Sequence, residues 1–156
     1  AVRLALVVFA LVGAGAMKPA AAQQTFAASV LTVETAGAAK FRFKIELAET
    51  QAQQAQGLMF RRQMAPDAGM LFIYSKPQVA AFWMKNTFIP LDMLFIAENG
   101  RIVHIHPNAT PQSEATITTP QPVKAVLEIN GGLAARLGVR VGDIARHAAF
   151  KNAATP

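Results

Sequence analysis

The sequence predicts an α+β fold: a strand-rich single domain with a curved, barrel-like antiparallel sheet and two short helices. Three observations carry that expectation. Phe41, Phe43, Ile45 and Leu47 alternate with Arg42, Lys44 and Glu46, the period-two pattern of a half-buried strand. Asn99-Gly100 stands between two apolar runs, the preferred chemistry of a tight hairpin. Helical patterning is confined to two short stretches, Thr50 to Phe60 and Gly131 to Leu137.

The chain has 156 residues, 53% apolar and 15% charged, enough for one compact core and too few for two. Its start reads as an export signal. Arg3 precedes an apolar run from Leu4 to Met17, and Ala20-Ala21-Ala22 supplies small residues for cleavage before Gln23. Lys18 and Pro19 interrupt the run before the roughly 20 apolar residues of a spanning helix. The expected organisation is therefore a signal at 1–22, a linker at 23–28, one domain at 29–150 and a tail at 151–156. The mature chain would be periplasmic or secreted, without a transmembrane span.

There is no cysteine, which excludes disulfides, thiolate metal sites and a thiol nucleophile. Without Arg3 and Lys18 the chain holds 13 basic against 9 acidic residues. The cations are scattered singly apart from Arg61-Arg62, so nucleic acid is not an expected partner.

Taken in order, Val30 to Thr35 and Phe41 to Leu47 predict a hairpin. Thr50 with Gln53 three residues later is a capping box, opening a helix expected to reach about Phe60 with Gly57 packed closely. Pro66 to Gly69 is a turn, and Met70 to Tyr74 a short strand. Val79 to Met84 predicts another strand, and Pro90 suits only the start or edge of one. A two-residue turn at Asn99-Gly100 would set Glu98 opposite Arg101, Ile96 opposite Val103, Phe95 opposite His104, Leu94 opposite Ile105 and Met93 opposite His106. Leu94, Ile96, Val103 and Ile105 would then face the core. The segment from Pro107 to Pro122, rich in Pro, Thr, Ser and Gln, predicts a long excursion. Ala125 to Ile129 is a strand, Asn130 could cap the second helix, Gly138 would stop it, and Gly142-Asp143 turns into a last strand, Ile144 to Phe150.

No P-loop, GxSxG, HExxH, GxGxxG or EF-hand pattern occurs. Asp92, Glu128 and Asp143 are acids embedded in apolar runs. Asp143 suits a local turn and Glu128 the free N–H groups of the following helix, whereas Asp92 could pair with Lys85 or Arg61. His104 and His106, with Met93 opposite, have a spacing compatible with a metal, but no third ligand is evident; ordinary strand histidines and core methionines explain them as well. Phe82-Trp83-Met84-Lys85-Asn86-Thr87 places the single Trp beside a cation and hydrogen-bonding side chains. That suits a glycan or another polar small molecule, or simply a strand running into a turn.

These residues carry a resemblance. GLMFR at Gly57 to Arg61, GMLF at Gly69 to Phe72, FWMKNTFIPLDMLFI at Phe82 to Ile96, VLEINGG at Val126 to Gly132 and the Gly142-Asp143 turn resemble, in that order, the domain-of-unknown-function 192 family. The resemblance spans about Phe26 to Phe150. It implies a single small β-rich domain, usually exported or membrane-attached, with no established activity; separately, no cofactor is expected. Many members carry cysteine in the segment matching Thr110 to Thr119, where this chain has none. The motif singles out Arg61, Trp83, Lys85, Asn86, Thr87, Asp92 and Glu128 as candidate ligand-site residues. The expected function is binding of a small molecule or glycan near the FWMKNT segment, or association with an envelope protein. The alternatives are hydrolysis using Asp92 and Lys85, or metal handling by His104, His106 and Met93.

Overall fold

The computed structural model describes residues 23–152; the candidate export signal at 1–22 lies outside them, as does 153–156. Nine strands and two helices run through the described residues: β1 (Ala27–Glu34), β2 (Lys40–Ala48), α1 (Gln51–Gln56), β3 (Ala68–Gln78), β4 (Ala81–Phe82), β5 (Leu91–Ile96), β6 (Ile102–Ala109), β7 (Ile117–Thr118), β8 (Val123–Asn130), α2 (Leu133–Leu137) and β9 (Ile144–Arg146). Seven of these strands form one sheet in the order β6-β5-β8-β3-β2-β1-β9, while β4 pairs with β7 alone. Every neighbouring pair is antiparallel except β2 and β3. Those two run parallel because α1 and its flanking turns carry the chain back between them, as a parallel crossover requires.

The sheet curls until its edges meet. Arg101 bridges Ile144, the Ile102 N–H donates to the Asp143 carbonyl, and the Ala145 N–H to the Gly100 carbonyl. Closure satisfies edge groups that would otherwise pair with another chain. It also gives the sheet two unlike faces. The inner face gathers Leu31, Val33, Phe43, Ile45, Leu71, Leu94, Ile96, Ile102, Leu127 and Ile129, with Leu133 and Ala134 of α2 packed among them. The outer face of β3, β8 and β5 carries Met70, Phe72, Tyr74, Val126, Met93 and Phe95, covered by Leu58, Met84, Ile89 and Ile117 from the connections.

The expected hairpin of β1 and β2 forms, with Phe43 and Ile45 buried. The Thr50–Gln53 capping box also forms: the Gln53 N–H donates to the Thr50 hydroxyl at 3.2 Å, and the Thr50 N–H to the Gln53 side-chain oxygen at 3.0 Å. The helix does not reach Phe60. Gly57 ends it with a φ of +48°, and a Cβ there would lie 3.0 Å from the Phe72 ring.

Other expectations need correction. The strand expected over Val79 to Met84 shrinks to β4, because the chain leaves the main sheet after Gln78 and crosses the outer face, burying Ala80 and Met84 while Val79 and Trp83 stay exposed. The β5–β6 turn is longer than two residues. The Ala97 N–H donates to the Arg101 carbonyl and the Gly100 N–H to the Ala97 carbonyl, and of the two expected positive-φ residues only Gly100, at +82°, is one. Its extra residue makes a bulge that pairs Ile96 with Ile102 rather than Val103. Ile102 therefore joins the inner core and Val103 the outer one, while the pairings of Phe95, Leu94 and Met93 stand as expected. The excursion at Pro107 to Pro122 is partly structured, since β6 runs on to Ala109 and β7 lies within it. The last strand stops at Arg146, and Phe150 folds back into the inner core.

Candidate functional site

Along one row of the outer face, register sets Glu46, Met70, Glu128, Met93 and His106 side by side across β2, β3, β8, β5 and β6. Glu128 thus stands between two fully buried methionines, itself only 4% exposed. Its position follows from β8 alternation, which sends Leu127 and Ile129 inward and Val126 and Glu128 outward. The Glu128 side chain makes no hydrogen bond or ion pair with a described residue. Burial alone pushes its carboxyl from an ordinary value of 4.5 up to about 8. It does not bond to the N–H groups of α2, as the sequence had suggested.

Glu128 opens into a cleft of about 330 Å³ between the outer face, α1 and the segment from Ala81 to Thr87. Phe72, Tyr74, Phe82 and Trp83 line it, with Gly57, Leu58, Met59, Gln78 and Thr87. Phe72 and Phe82 meet edge-on at 5.0 Å and 87°, so their rings form a corner. The Tyr74 hydroxyl makes no hydrogen bond to a described residue; burial first, and then the field of Glu128, pushes its pKa up to about 12. A buried acid and a phenol with free hydrogen-bonding capacity share one aromatic-walled space.

Of the residues singled out by the sequence, Trp83, Thr87 and Glu128 line this cleft. The Thr87 hydroxyl donates to the Lys85 carbonyl at 3.3 Å. Asn86 adopts φ +56° and directs its amide toward the Met59 sulfur, while its carbonyl accepts from the Phe60 N–H. Lys85 lies at the rim with its ammonium 5.0 Å from the Trp83 ring centroid and 3.5 Å from Glu114. Arg61 pairs with Glu46 and lines a separate hollow beside Gln23, Ala52 and Phe60.

Asp92 lies elsewhere, and it pairs with neither Lys85 nor Arg61. It is fully buried, and its two oxygens accept the N–H groups of Asn108, Gly132 and Ala134 at 2.7–2.8 Å. It therefore caps α2 from a distant strand and fixes the turn at Asn108. Asn130, the expected cap, instead donates its amide to the Met64 and Ala65 carbonyls. Met93 is fully buried, and the His104 ring lies against Phe95, tilted at 47° with centroids 5.3 Å apart. Among the described residues no three His, Asp or Glu side chains gather closely enough to hold a metal ion.

Sequence reasoning missed Tyr74 and Phe72. The run from Met70 to Tyr74 was visible as a short apolar strand, but only the β3–β8 pairing puts the face carrying Phe72 and Tyr74 beside Glu128. It also missed a Ser29–His147 contact of 2.9 Å, which looks like a nucleophile and base. The Ala149 N–H donates to His147 Nδ1, so Nε2 carries the proton and donates to Ser29, leaving the serine unactivated.

No curated protein is significantly similar to the chain. Several solved structures are, two of them as follows. One, from Sinorhizobium meliloti 1021 and described as a candidate transcription regulator, is 46% identical with a TM-score of 0.80, covering 83% of this chain and all of its own. Another, a protein of unknown function from Novosphingobium aromaticivorans DSM 12444, is 42% identical with a TM-score of 0.76, covering 85% of this chain and 94% of its own. Residues 31–147 match the domain-of-unknown-function 192 family, described as an uncharacterized ACR. The chain belongs to that family.

Proposed function

We propose that this domain binds a small molecule in the cleft beneath Trp83, with Glu128 as the polar anchor. One observation carries the reading: a buried carboxyl that opens into a concave, aromatic-lined space and has no partner of its own. Proteins seldom bury an unpaired acid, because the group loses its hydration and gains nothing in return. A cleft with a few convergent polar groups on apolar walls is the usual form of a ligand site. The order of Arg3, apolar run and small residues at the N-terminus supports placing this function outside the cytoplasm.

The titratable groups of the cleft, Glu128 and Tyr74, are both acids, with Lys85 held at the rim by Glu114 and Trp83. Hydrolysis through Asp92 and Lys85 lacks a shared space, since three N–H groups occupy Asp92, which does not line the cleft. Nucleic acid is not proposed: the basic residues are scattered singly along the sequence apart from Arg61-Arg62, and the cleft presents a carboxyl rather than cations.

The test is native mass spectrometry and a small-molecule screen on the mature chain, comparing wild type with Ala81→Trp. Ala81 is exposed and lines the cleft, so a Trp there fills its mouth. A ligand held by the wild type and lost from the variant is the expected result. Equal binding by both would remove the cleft from consideration. An envelope-protein partner, for which exposed Phe60 and Phe88 offer an aromatic surface, would be captured equally by both chains.

A further inference from the structure

Which ligand chemistry the cleft accepts follows from its walls and from the charges that do and do not reach it. We infer that the cleft takes an alkylammonium: a small organic cation whose charged head sits on the Glu128 carboxylate and whose N-methyl or methylene groups lie against the aromatic rings. This rests on the cleft being the binding site.

Four aromatic side chains line it, including the only Trp and the only Tyr of the chain. Aromatic faces attract a cation through the ring quadrupole, most strongly where water is excluded. The Phe72–Phe82 corner presents two rings at nearly right angles, which surrounds a tetrahedral head better than a flat ring. The Tyr74 hydroxyl, without a partner among the described residues, can accept a hydrogen bond from an N–H or O–H of the ligand. Bound there, the cation supplies what the protein does not, a counter-charge for a buried carboxylate.

Other ligand classes fit less well. A divalent metal such as calcium needs six or more oxygen ligands, and no acid or histidine other than Glu128 lines the cleft. An anion would meet Glu128, while the rim cation Lys85 is committed to Glu114 and Trp83. A neutral polar molecule could hydrogen-bond to a protonated Glu128, and pH separates that case from a cation. A cation competes with the proton at Glu128, so its affinity rises as pH rises. A neutral acceptor needs the proton, so its affinity falls.

The charged and titratable groups facing Glu128 from its surroundings are few. Tyr74 on β3 shares its cleft, and Lys124 on β8 donates to the Tyr74 and Ser75 carbonyls. Glu46, two strands away on the same row, is paired with Arg61. On β6, His106 lies beyond Met93 and His104 beyond Phe95. The segment over the cleft contributes Lys85 with Glu114, and α1 contributes no ionisable group.

The experiment is calorimetric titration of the mature chain with choline, with its neutral carbon isostere bearing tert-butyl for trimethylammonium, and with the anion of tert-butylacetic acid. Choline carries a permanent charge, so pH acts only on the protein. Its dissociation constant is expected to tighten by about tenfold per pH unit between about pH 6 and 8 and then level off. The neutral isostere should bind at least about tenfold more weakly, Glu128→Gln should weaken choline by about tenfold or more, and Lys85→Ala should change it by less than about twofold. An affinity for choline that is flat with pH overturns the inference. So does a neutral or anionic probe that binds as tightly as choline; if Ala81→Trp abolishes that binding, the cleft remains a site for another class. Failure of all three probes and of the wider screen would overturn both readings.

Discussion

Three carboxyl groups are buried among the described residues, those of Asp92, Glu128 and Asp143, and the first two are treated in opposite ways. Asp92, at the end of the inner barrel beside α2, receives three backbone N–H groups from two segments. Glu128, on the outer face, receives none and sits between Met70 and Met93. Each is enclosed by apolar side chains, so burial alone does not tell a structural acid from a functional one. What differs is whether the fold supplies hydrogen-bond partners. Asp92 completes the structure, whereas Glu128 is a cost the structure carries at the floor of a cleft.

The comparison fails most visibly if Asp92 can be removed cheaply. Asp92→Ala leaves three N–H groups without their acceptor, and each buried orphan costs about 1–3 kcal/mol, so a loss of about 5 kcal/mol is expected in urea unfolding. A loss below about 1 kcal/mol would mean that water or a local shift replaces the carboxylate. The pH profile tests the other acid. The folded-state pKa of Glu128 is raised to about 8 from 4.5, so its protonated form contributes stability that is fully present below about pH 4.5 and is lost as pH rises toward 8. Across that window the wild type should lose on the order of 3–5 kcal/mol relative to Glu128→Gln, whose profile lacks this slope.

Glu128→Met should go the opposite way from Asp92→Ala. Extending the row of Met70 and Met93 replaces an unpaired acid by a matching apolar group, and about 1–4 kcal/mol of added stability is expected at pH 7, with the proposed binding lost. Destabilisation instead would show that Glu128 has a structural partner. The smallest effect is expected at Lys85. Its contacts with Glu114 and Trp83 are half-exposed, so Lys85→Ala should change stability by about 0.5 kcal/mol or less in the same unfolding measurement.

Much of the scaffold was legible in the sequence. The alternation of β2, the capping box at Thr50, the stop at Gly138 and the start of β5 after Pro90 all depend on residues within a few positions of one another. The errors share a cause. Helix α1 ends early because Phe72, fifteen positions on, packs against Gly57, and the expected strand at Val79 to Met84 mostly dissolves because its partner is the outer face of a sheet formed elsewhere. The bulge beside Ile96 is read from the turn geometry at Gly100, which the Asn-Gly pair alone did not settle.

For the site, the sequence by itself determined that Trp83, Thr87, Asp92 and Glu128 are unusual in their surroundings, since acids within apolar runs and a lone Trp before polar residues are visible in one dimension. Only the tertiary structure decided which of them share a space. The donors to Asp92 lie 16, 40 and 42 positions away, and Glu128 meets Phe72 and Tyr74 only because β8 pairs with β3. Local patterns fix which side of a strand a residue faces; the partners waiting on that side come from distant parts of the chain, and those partners separate a satisfied carboxylate from an available one.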